Sequence, residues 1–249
     1  RGDHYKSLQI SVRRPFTNGF NLVLAYNYNR EEDQEYYDAV SEYLHQFTWT
    51  PTQTPHHRLT SAAVYELPFG RSRKYMANAN RALDSVFGGW VLSGLYTYNS
   101  GLPLRIGSTS TTGTSQSSYV GASLNSAPIA NGTGALVSAD PAISNPTMSR
   151  WFNTGVIQIL PAFTRATNPV QYGNWLGPRF VDIDMALAKQ FQIVERVHFE
   201  LRVDAFNLAN ALTPANPITS PTNANFGKSI DEAAGTYGRQ LQFSGKFIF

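Results

Sequence analysis

The sequence contains no cysteine and few charged residues. Without cysteine there is no disulfide framework, thiol nucleophile or zinc–thiolate site. Asp, Glu, Lys and Arg make up 15% of the residues, against about a quarter in ordinary soluble domains. The net charge is only +3 and the basic residues are scattered. The basic stripe that nucleic-acid binding requires is therefore missing, and we expect no nucleic-acid partner.

Long apolar runs are missing as well. No stretch reaches the roughly 18 apolar residues of a transmembrane helix. No segment has the pattern of a signal peptide and residue 1 is Arg, so we expect the signal to lie upstream of this segment. Aromatic residues, by contrast, are abundant, with 13 Tyr, 15 Phe and 4 Trp. Low charge with many aromatic and small polar residues suits an all-β protein with polar loops.

Seven segments alternate between apolar and polar residues. A period of two is the mark of a half-buried strand. The clearest segment is Val197 to Leu208, where apolar residues oppose a row of ionisable ones. The predicted strands cover residues 4–14, 19–29, 57–67, 89–99, 180–191, 197–208 and 237–249. Strands of about 9–11 residues are long enough to cross a bilayer when tilted.

The predicted connections alternate between short and long. Pro15-Phe16-Thr17-Asn18 predicts a tight turn after the first strand, and Ile193 to Arg196 joins the fifth and sixth strands. Residues 68–88 form a link of intermediate length. The long connections are residues 30–56, 100–179 and 209–236. Transmembrane barrels have short periplasmic turns and long outward loops, so we predict an antiparallel transmembrane β-barrel segment with long extracellular loops. Its location would be the outer membrane of a Gram-negative-type bacterium.

Aromatic residues lie near both ends of the predicted strands. The belt near the outer edge comprises Tyr26, Tyr28, Tyr96, Tyr98 and Tyr237, and the belt near the periplasmic edge comprises Phe20, Tyr65, Trp90, Phe247 and Phe249. Amphipathic rings favour both membrane–water interfaces. The belts therefore agree with a barrel whose last strand runs toward the periplasm.

Several short motifs follow one another along the chain. They are Tyr65-Glu66-Leu67-Pro68-Phe69-Gly70, Gly88-Gly89-Trp90-Val91-Leu92-Ser93-Gly94, Ser100-Gly101-Leu102-Pro103, Arg150-Trp151-Phe152-Asn153, Leu176-Gly177-Pro178-Arg179-Phe180, Arg202-x-Asp204-x-Phe206-Asn207-Leu208-x-Asn210 and Arg239-Gln240-Leu241-Gln242-Phe243. In this order they resemble the C-terminal barrel of Oar-like TonB-dependent transporters. The resemblance covers nearly the whole chain, and the ordered set is more specific than any single motif.

The resemblance implies a barrel of about 22 strands with an N-terminal plug domain. It also implies uptake of a ligand with energy passed on by the TonB complex, which would act through the plug. Neither a plug nor a signal peptide is found in the sequence, so we expect the seven strands to be the last third of the barrel. The terminal residues Phe243, Gly245, Phe247 and Phe249 would form the signal read by the barrel-assembly machinery. The remaining expected partners are outer-membrane lipid and an unknown ligand.

No pattern in the sequence predicts an enzyme, a metal site or a cofactor. The six ionisable residues Asp182, Asp184, His198, Glu200, Arg202 and Asp204 could suggest acid–base chemistry. Their alternation instead favours a row facing the lumen, with ion pairs across the strands. His56 and His57 are adjacent, and adjacent strand residues point to opposite faces. The acidic segment Glu31-Glu32-Asp33-Gln34-Glu35, with Asp38 and Glu42, lacks the spacing of a calcium loop.

A soluble extracellular all-β sandwich that binds carbohydrate is the alternative interpretation. The Tyr and Trp content allows it. Such a sandwich would pack the apolar strand faces into a core and expose the polar faces. A barrel would instead present its apolar faces to lipid, so the two interpretations differ in which strand face is covered.

Overall fold

The computed structural model describes residues 2–34, 49–71, 73–106, 135–159, 167–169, 171–194 and 196–249. Its strands are β1 (Asp3–Thr17), β2 (Phe20–Asp33), β3 (Thr50–Pro51), β4 (His57–Glu66), β5 (Trp90–Asn99), β6 (Ala135–Val137), β7 (Ile157–Ile159), β8 (Phe180–Val194), β9 (Val197–Phe206) and β10 (Gln240–Ile248). The helical elements are α1 (Arg81–Phe87) and a 3-10 turn at Thr154–Val156. None of the described helices is long and apolar enough to span a membrane.

One antiparallel sheet forms the body of the chain. Its strands pair in the order β1-β2-β4-β5-β8-β9-β10, and β3 pairs with β2 beside this path. β6 and β7 form a separate two-stranded sheet. Each long strand thus pairs with its neighbours in chain order, as in a meander. This confirms the predicted all-β antiparallel fold class.

The first hairpin has a longer strand and a tighter turn than predicted. β1 runs through Pro15 to Thr17, and the turn consists of Asn18 and Gly19, with φ of 54° and 74°. Positive φ at both positions is the two-residue turn that matches the twist of a strand pair. The tight turn predicted from the Pro and Asn-Gly residues is present, but its predicted bounds of 15–18 are wrong, because residues 15–17 belong to β1. Pro15 fits within β1 because the register shifts between Arg14 and Thr17, and a bulge tolerates a missing N–H.

The connections are sorted by length between the two ends of the sheet. At one end β8 stops at Val194 and β9 starts at Val197, while Asn18-Gly19 joins β1 to β2 and the segment with α1 joins β4 to β5. At the other end lie residues 34–56, 100–179 and 207–239. We call these the short-connection end and the long-connection end. The predicted stretches 35–48, 107–134 and 160–166 within the long connections lie outside the described residues.

The strand register collects the apolar residues of the meander on one face. Residues directly opposite in neighbouring strands share a face. One such row across six strands is Phe20, Tyr65, Leu92, Leu187, Val203 and Phe243. The adjacent row, one residue along each strand, is Asn21, Val64, Ser93, Ala186, Asp204 and Gln242. The sheet therefore has an apolar face, which holds the first row, and a polar face, which holds the second.

The apolar face is open over much of its area. Leu241 and Phe243 on β10 are 59% and 70% exposed. Apart from Ala186 on the polar face of β8, the buried hydrophobic residues of the described chain lie in the long connections. They are Leu104, Ile106, Ala135, Phe152, Ile157, Tyr172 and Trp175. A soluble sandwich would bury the apolar strand faces instead, so this distribution does not favour the alternative interpretation.

Two long connections fold together around that buried cluster. The Trp175 ring lies 4.5 Å from Phe152 and 5.2 Å from Tyr172, measured between ring centroids. Phe226 of the β9–β10 connection packs on Phe152 at 5.2 Å. The Trp151 backbone N–H donates to Gly227 O at 2.7 Å. We call the described parts of residues 100–179 and 207–239 the loop lobe.

Candidate ligand-binding and membrane-facing surfaces

The six predicted ionisable residues all lie on the polar face. Asp182 and Asp184 stand on β8, and His198, Glu200, Arg202 and Asp204 stand on β9. The Arg202 guanidinium pairs with the Asp204 carboxylate at 2.7 Å, two residues along the same strand. Glu200 Oε2 accepts a hydrogen bond from Gln190 Nε2 at 2.9 Å, across to β8. The structure thus places three of the six side chains, Glu200, Arg202 and Asp204, in one polar strip together with Gln190.

The predicted ion pairs across the strands are not found among the described residues. The residues opposite Asp204, Arg202 and Glu200 on β8 are Ala186, Ala188 and Gln190, none of which is charged. On the other side of β9, Lys246 of β10 stands opposite Glu200, but the two charges form no ion pair with each other. The ion pair instead forms along β9, between Arg202 and Asp204, because residues two apart share a face. The prediction of ion pairs across the strands is therefore wrong. That the six ionisable residues face the barrel lumen stays a prediction.

The motif that begins at Arg202 in β9 ends in a corner, residues 207–210, where the chain enters the loop lobe. Asn207 has φ of 46° and Asn210 has φ of 49°, a region that Asn tolerates better than most residues. The Asn207 side chain donates to Tyr237 O at 2.8 Å and accepts from Ala211 N–H at 2.9 Å. Asp184 Oδ1 accepts from Asn207 N–H at 2.9 Å. The motif thus fastens β8, β9 and the entry to β10 together.

Two cavities open between the polar face and the loop lobe. The first, of about 340 Å³, is lined by Asp182 and Asp184, together with Phe206, Asn207 and Tyr237. The second, of about 550 Å³, is lined by Arg58, Asn99 and Thr213 among others, and shares Phe180 with the first. We call them the loop-end cavities. Their volumes fall in the range of small-ligand sites, roughly 300–1,000 Å³.

The chemistry of the loop-end cavities suits polar recognition. Two carboxylates line the first cavity and a guanidinium lines the second, among aromatic and small polar residues. Across the part of the chain that the structure describes, no group of three His, Cys, Asp or Glu side chains could hold a metal ion. The arrangement can therefore offer charged hydrogen-bonding groups to a ligand that enters from the long-connection end.

Two titratable groups in the long connections have shifted pKa values. Burial raises the pKa of the Tyr172 phenol, and the nearby Asp140 charge raises it further. Burial also lowers the pKa of His56, with added repulsion from His57 and Arg30. Both shifts favour the neutral form, which fits side chains that are partly withdrawn from water in the loop lobe and beside it.

The predicted aromatic belts lie on the apolar face, toward its two ends. Near the long-connection end, Tyr26 OH lies 2.8 Å from His57 Nδ1, and the Tyr28 ring lies 5.1 Å from the same imidazole. Tyr96 and Tyr98 follow on β5, opposite Ser61 and Leu59. Near the short-connection end the rings of Phe20 and Tyr65 meet edge to face at 6.0 Å.

Tyr237 does not belong to the outer belt. It precedes β10, which starts at Gln240, and it lines the first loop-end cavity. The prediction that placed it on the last strand is wrong, because the Asn207 side chain holds the Tyr237 carbonyl in the corner described above. Its ring is therefore available at the cavity rather than at the membrane interface.

One residue of the predicted assembly signal, Phe247, lies in a ladder of rings on the apolar face, while Phe249 follows the end of β10 and is 92% exposed. Phe247 lies 5.0 Å from Phe199, which lies 6.3 Å from Phe191. Gly245 is opposite Leu201, and a Cβ added to it would come within 3.0 Å of the Phe199 ring. The glycine therefore makes room for the ring of the neighbouring strand. The role of Phe243, Gly245, Phe247 and Phe249 in assembly stays a prediction.

Sequence reasoning missed Lys189 and α1. Lys189 lies on the apolar face opposite Trp90, yet it is only 3% exposed. Its ammonium lies 5.4 Å from the Trp90 ring and 5.0 Å from the Phe191 ring, and it reaches Asp84 O of α1 at 3.5 Å. The helix could have been found from Asn80, whose side chain caps Leu83 N–H at 2.8 Å, and from the Gly88 that follows it.

A two-faced antiparallel meander with an open apolar face and aromatic belts defines a transmembrane β-barrel protein of the outer membrane. The family model for the outer membrane beta barrel domain matches residues 1–242, and the chain belongs to that family. It is an integral outer-membrane protein, associated with outer-membrane lipid. Searches among curated proteins and among solved structures returned no match.

Proposed function

We propose that this chain forms part of the barrel wall of an Oar-like, TonB-dependent outer-membrane receptor. The receptor takes up a ligand across the outer membrane. The observation that carries the proposal is the loop lobe, which has its own buried core and lines one side of the loop-end cavities at one end of the strands. Loops folded in this way favour capture of a particular ligand over unselective passage. The ordered motifs in the sequence support the same class of receptor.

The proposed role is recognition and passage, without catalysis. Asp182 and Asp184 line a cavity with Asn207 and Tyr237, which are groups that hydrogen-bond a polar ligand. Energy would come from the TonB complex through a plug domain, and insertion would depend on the barrel-assembly machinery reading the last strand. Both partners are part of the proposal, and the terminal ring ladder supports the second.

Liposome swelling with the protein expressed from its native gene tests the proposal. Proteoliposomes that contain a closed receptor would not swell in isotonic arabinose, because passage would require energised opening. The purified periplasmic domain of TonB would bind the same protein in a pull-down. Rapid swelling in arabinose together with no TonB binding would identify an open channel and overturn the proposal.

A further inference from the structure

The connection between β4 and β5 places exposed apolar and basic residues side by side. We call residues 68–89 the rim segment. Its exposed apolar side chains, 38–58% exposed, are Phe69, Tyr75, Met76, Leu83, Val86 and Phe87. Its basic residues are Arg71, Arg73, Lys74 and Arg81, and all four are exposed. A surface of this composition is costly to leave in water and is typical of a membrane interface.

Contacts with β5 and β8 hold the rim segment against the apolar face. Trp90 Nε1 donates a hydrogen bond to Val86 O at 2.9 Å. Lys189 Nζ approaches Asp84 O at 3.5 Å. Trp90 and Lys189 are opposite one another on the apolar face. The helix α1 therefore lies on the lipid side of the sheet, at its short-connection end.

The environment of Lys189 supports this placement of α1 on the lipid side of the sheet. A bare ammonium on a lipid-facing strand is destabilising, most of all at the bilayer midplane and less near the interface. Here α1 and two aromatic rings cover Lys189, which leaves only 3% of it exposed. The covered lysine ties the rim segment to the surface that already contacts lipid, so the rim segment continues that surface.

The segment is also ordered by its own contacts. The Asp84 carboxylate accepts from Arg71 N–H at 2.6 Å, and the rings of Phe69 and Tyr75 lie 5.6 Å apart. Arg73 pairs with Glu66 at 2.9 Å. Among the described residues, Arg71, Lys74 and Arg81 form no ion pair, so their three charges are available to an external anion.

We propose that the rim segment is a docking surface for anionic phospholipid of the periplasmic leaflet. Its apolar side chains enter the boundary between headgroups and acyl chains, and Arg71, Lys74 and Arg81 bind lipid phosphates. The short-connection end marks the periplasmic side, because barrels turn tightly there. We infer the periplasmic leaflet from the short connections at this end of the sheet. We infer an anionic lipid from the three basic side chains that form no ion pair among the described residues.

Lipid binding to the purified full chain, counted by native mass spectrometry, tests the proposal. The probes are phosphatidylglycerol, phosphatidylcholine and lipid A. We expect tighter binding of phosphatidylglycerol than of phosphatidylcholine, and we expect R71E/K74E/R81E to reduce that preference by about fivefold per charge, or on the order of a hundredfold. The matched control R150E/K228E/R239E changes three exposed basic residues in or beside the loop lobe and would keep the preference.

Several results would overturn the proposal. These are equal binding of the two phospholipids by the unchanged chain, an equal loss in the control triple, or a preference for lipid A over phosphatidylglycerol. Because charge reversal could impair folding, a spin label on Val86→Cys provides a second test. In phosphatidylglycerol vesicles this label would be accessible to oxygen and shielded from a water-soluble nickel chelate. Free access of the chelate would contradict docking.

Discussion

At the scale of single residues, the chain depends on a few positions where only one side chain fits. Asn207 is one, because it combines a left-handed backbone with hydrogen bonds to two neighbouring segments. Gly245 is another, because the Phe199 ring occupies the space where a side chain would begin. Asn207 belongs to a motif that carries the family resemblance, and Gly245 belongs to the predicted assembly signal. The structure gives each a physical role in holding β9 and β10 together.

Replacing Asn207 with Ala should lower the free energy of unfolding by about 2–3 kcal/mol. The variant loses side-chain hydrogen bonds worth about 1 kcal/mol each, and it holds at positive φ an alanine, which tolerates that backbone region less well than Asn does. The urea midpoint of the protein in lipid vesicles measures the loss. Asn145→Ala, at an exposed position in the loop lobe, is the control, and an equal shift in both variants would contradict the role of Asn207.

Gly245→Ala should reduce the amount of folded protein inserted in the outer membrane, because the new Cβ would lie 3.0 Å from the Phe199 ring. Phe199→Ala removes that contact, so the same glycine change should cost less in the Phe199→Ala background. The difference defines a coupling, typically about 0.5–3 kcal/mol for touching residues. Additive effects in the double variant would show that Gly245 acts through something other than this ring.

At the scale of elements, the hairpins and the loop lobe are stabilised in different ways. The strands are stabilised by backbone pairing and by their shared face, so most of their side chains remain partly exposed. The loop lobe is stabilised by packing around Trp175 and Phe152, which are almost fully buried. One element can therefore loosen without the other, because they do not share a core.

Trp175→Ala should open the loop lobe while the sheet stays folded. Loss of a buried Trp costs about 3–5 kcal/mol, and a short two-stranded pair such as β6–β7 is only marginally stable without a packed core. Limited proteolysis of the membrane-inserted protein should cut within residues 135–159 far faster than in the unchanged chain. Trp49→Ala, at an exposed position, serves as the control. Cleavage of the strands at the same rate would show that lobe and sheet unfold together.

At the scale of the whole molecule, the two faces of the sheet determine where the protein resides. The apolar face runs without interruption across rows such as Tyr65, Leu92, Leu187 and Val203. The polar face carries six of the seven ionisable residues of β8 and β9, and the seventh, Lys189, lies on the apolar face under α1. A sheet with this division is stable when one face meets lipid and the other meets water, which is the environment of a barrel wall.

Val203→Lys should block insertion into the outer membrane, because it places a charge on the lipid side at a cost of about 2–4 kcal/mol near the bilayer midplane. Gln242→Lys adds the same charge on the polar face, in the row of Asp204, and should insert normally. Fractionation of cells that express each full-length variant measures the outcome. Equal insertion of both variants would contradict the assignment of the two faces.

Alternation along the sequence was enough to predict the antiparallel fold, the two faces of each strand and the six ionisable residues on one face. This succeeds because successive Cβ atoms in a strand point to opposite sides, so one strand's pattern is readable without its neighbours. Three details were predicted wrongly. They are the bounds of the first turn, the direction of the ion pair on β9 and the position of Tyr237. Each depends on how neighbouring segments meet.

The amino-acid order alone therefore established that this chain is a two-faced β protein with long loops at one end. Only the folded structure decided which rows align, where the buried core lies and what covers Lys189. Register and loop packing depend on contacts between residues far apart in the chain, and local periodicity contains no information about them. The covered lysine shows this most clearly, since a charge on an apolar face is acceptable only once α1 has folded over it.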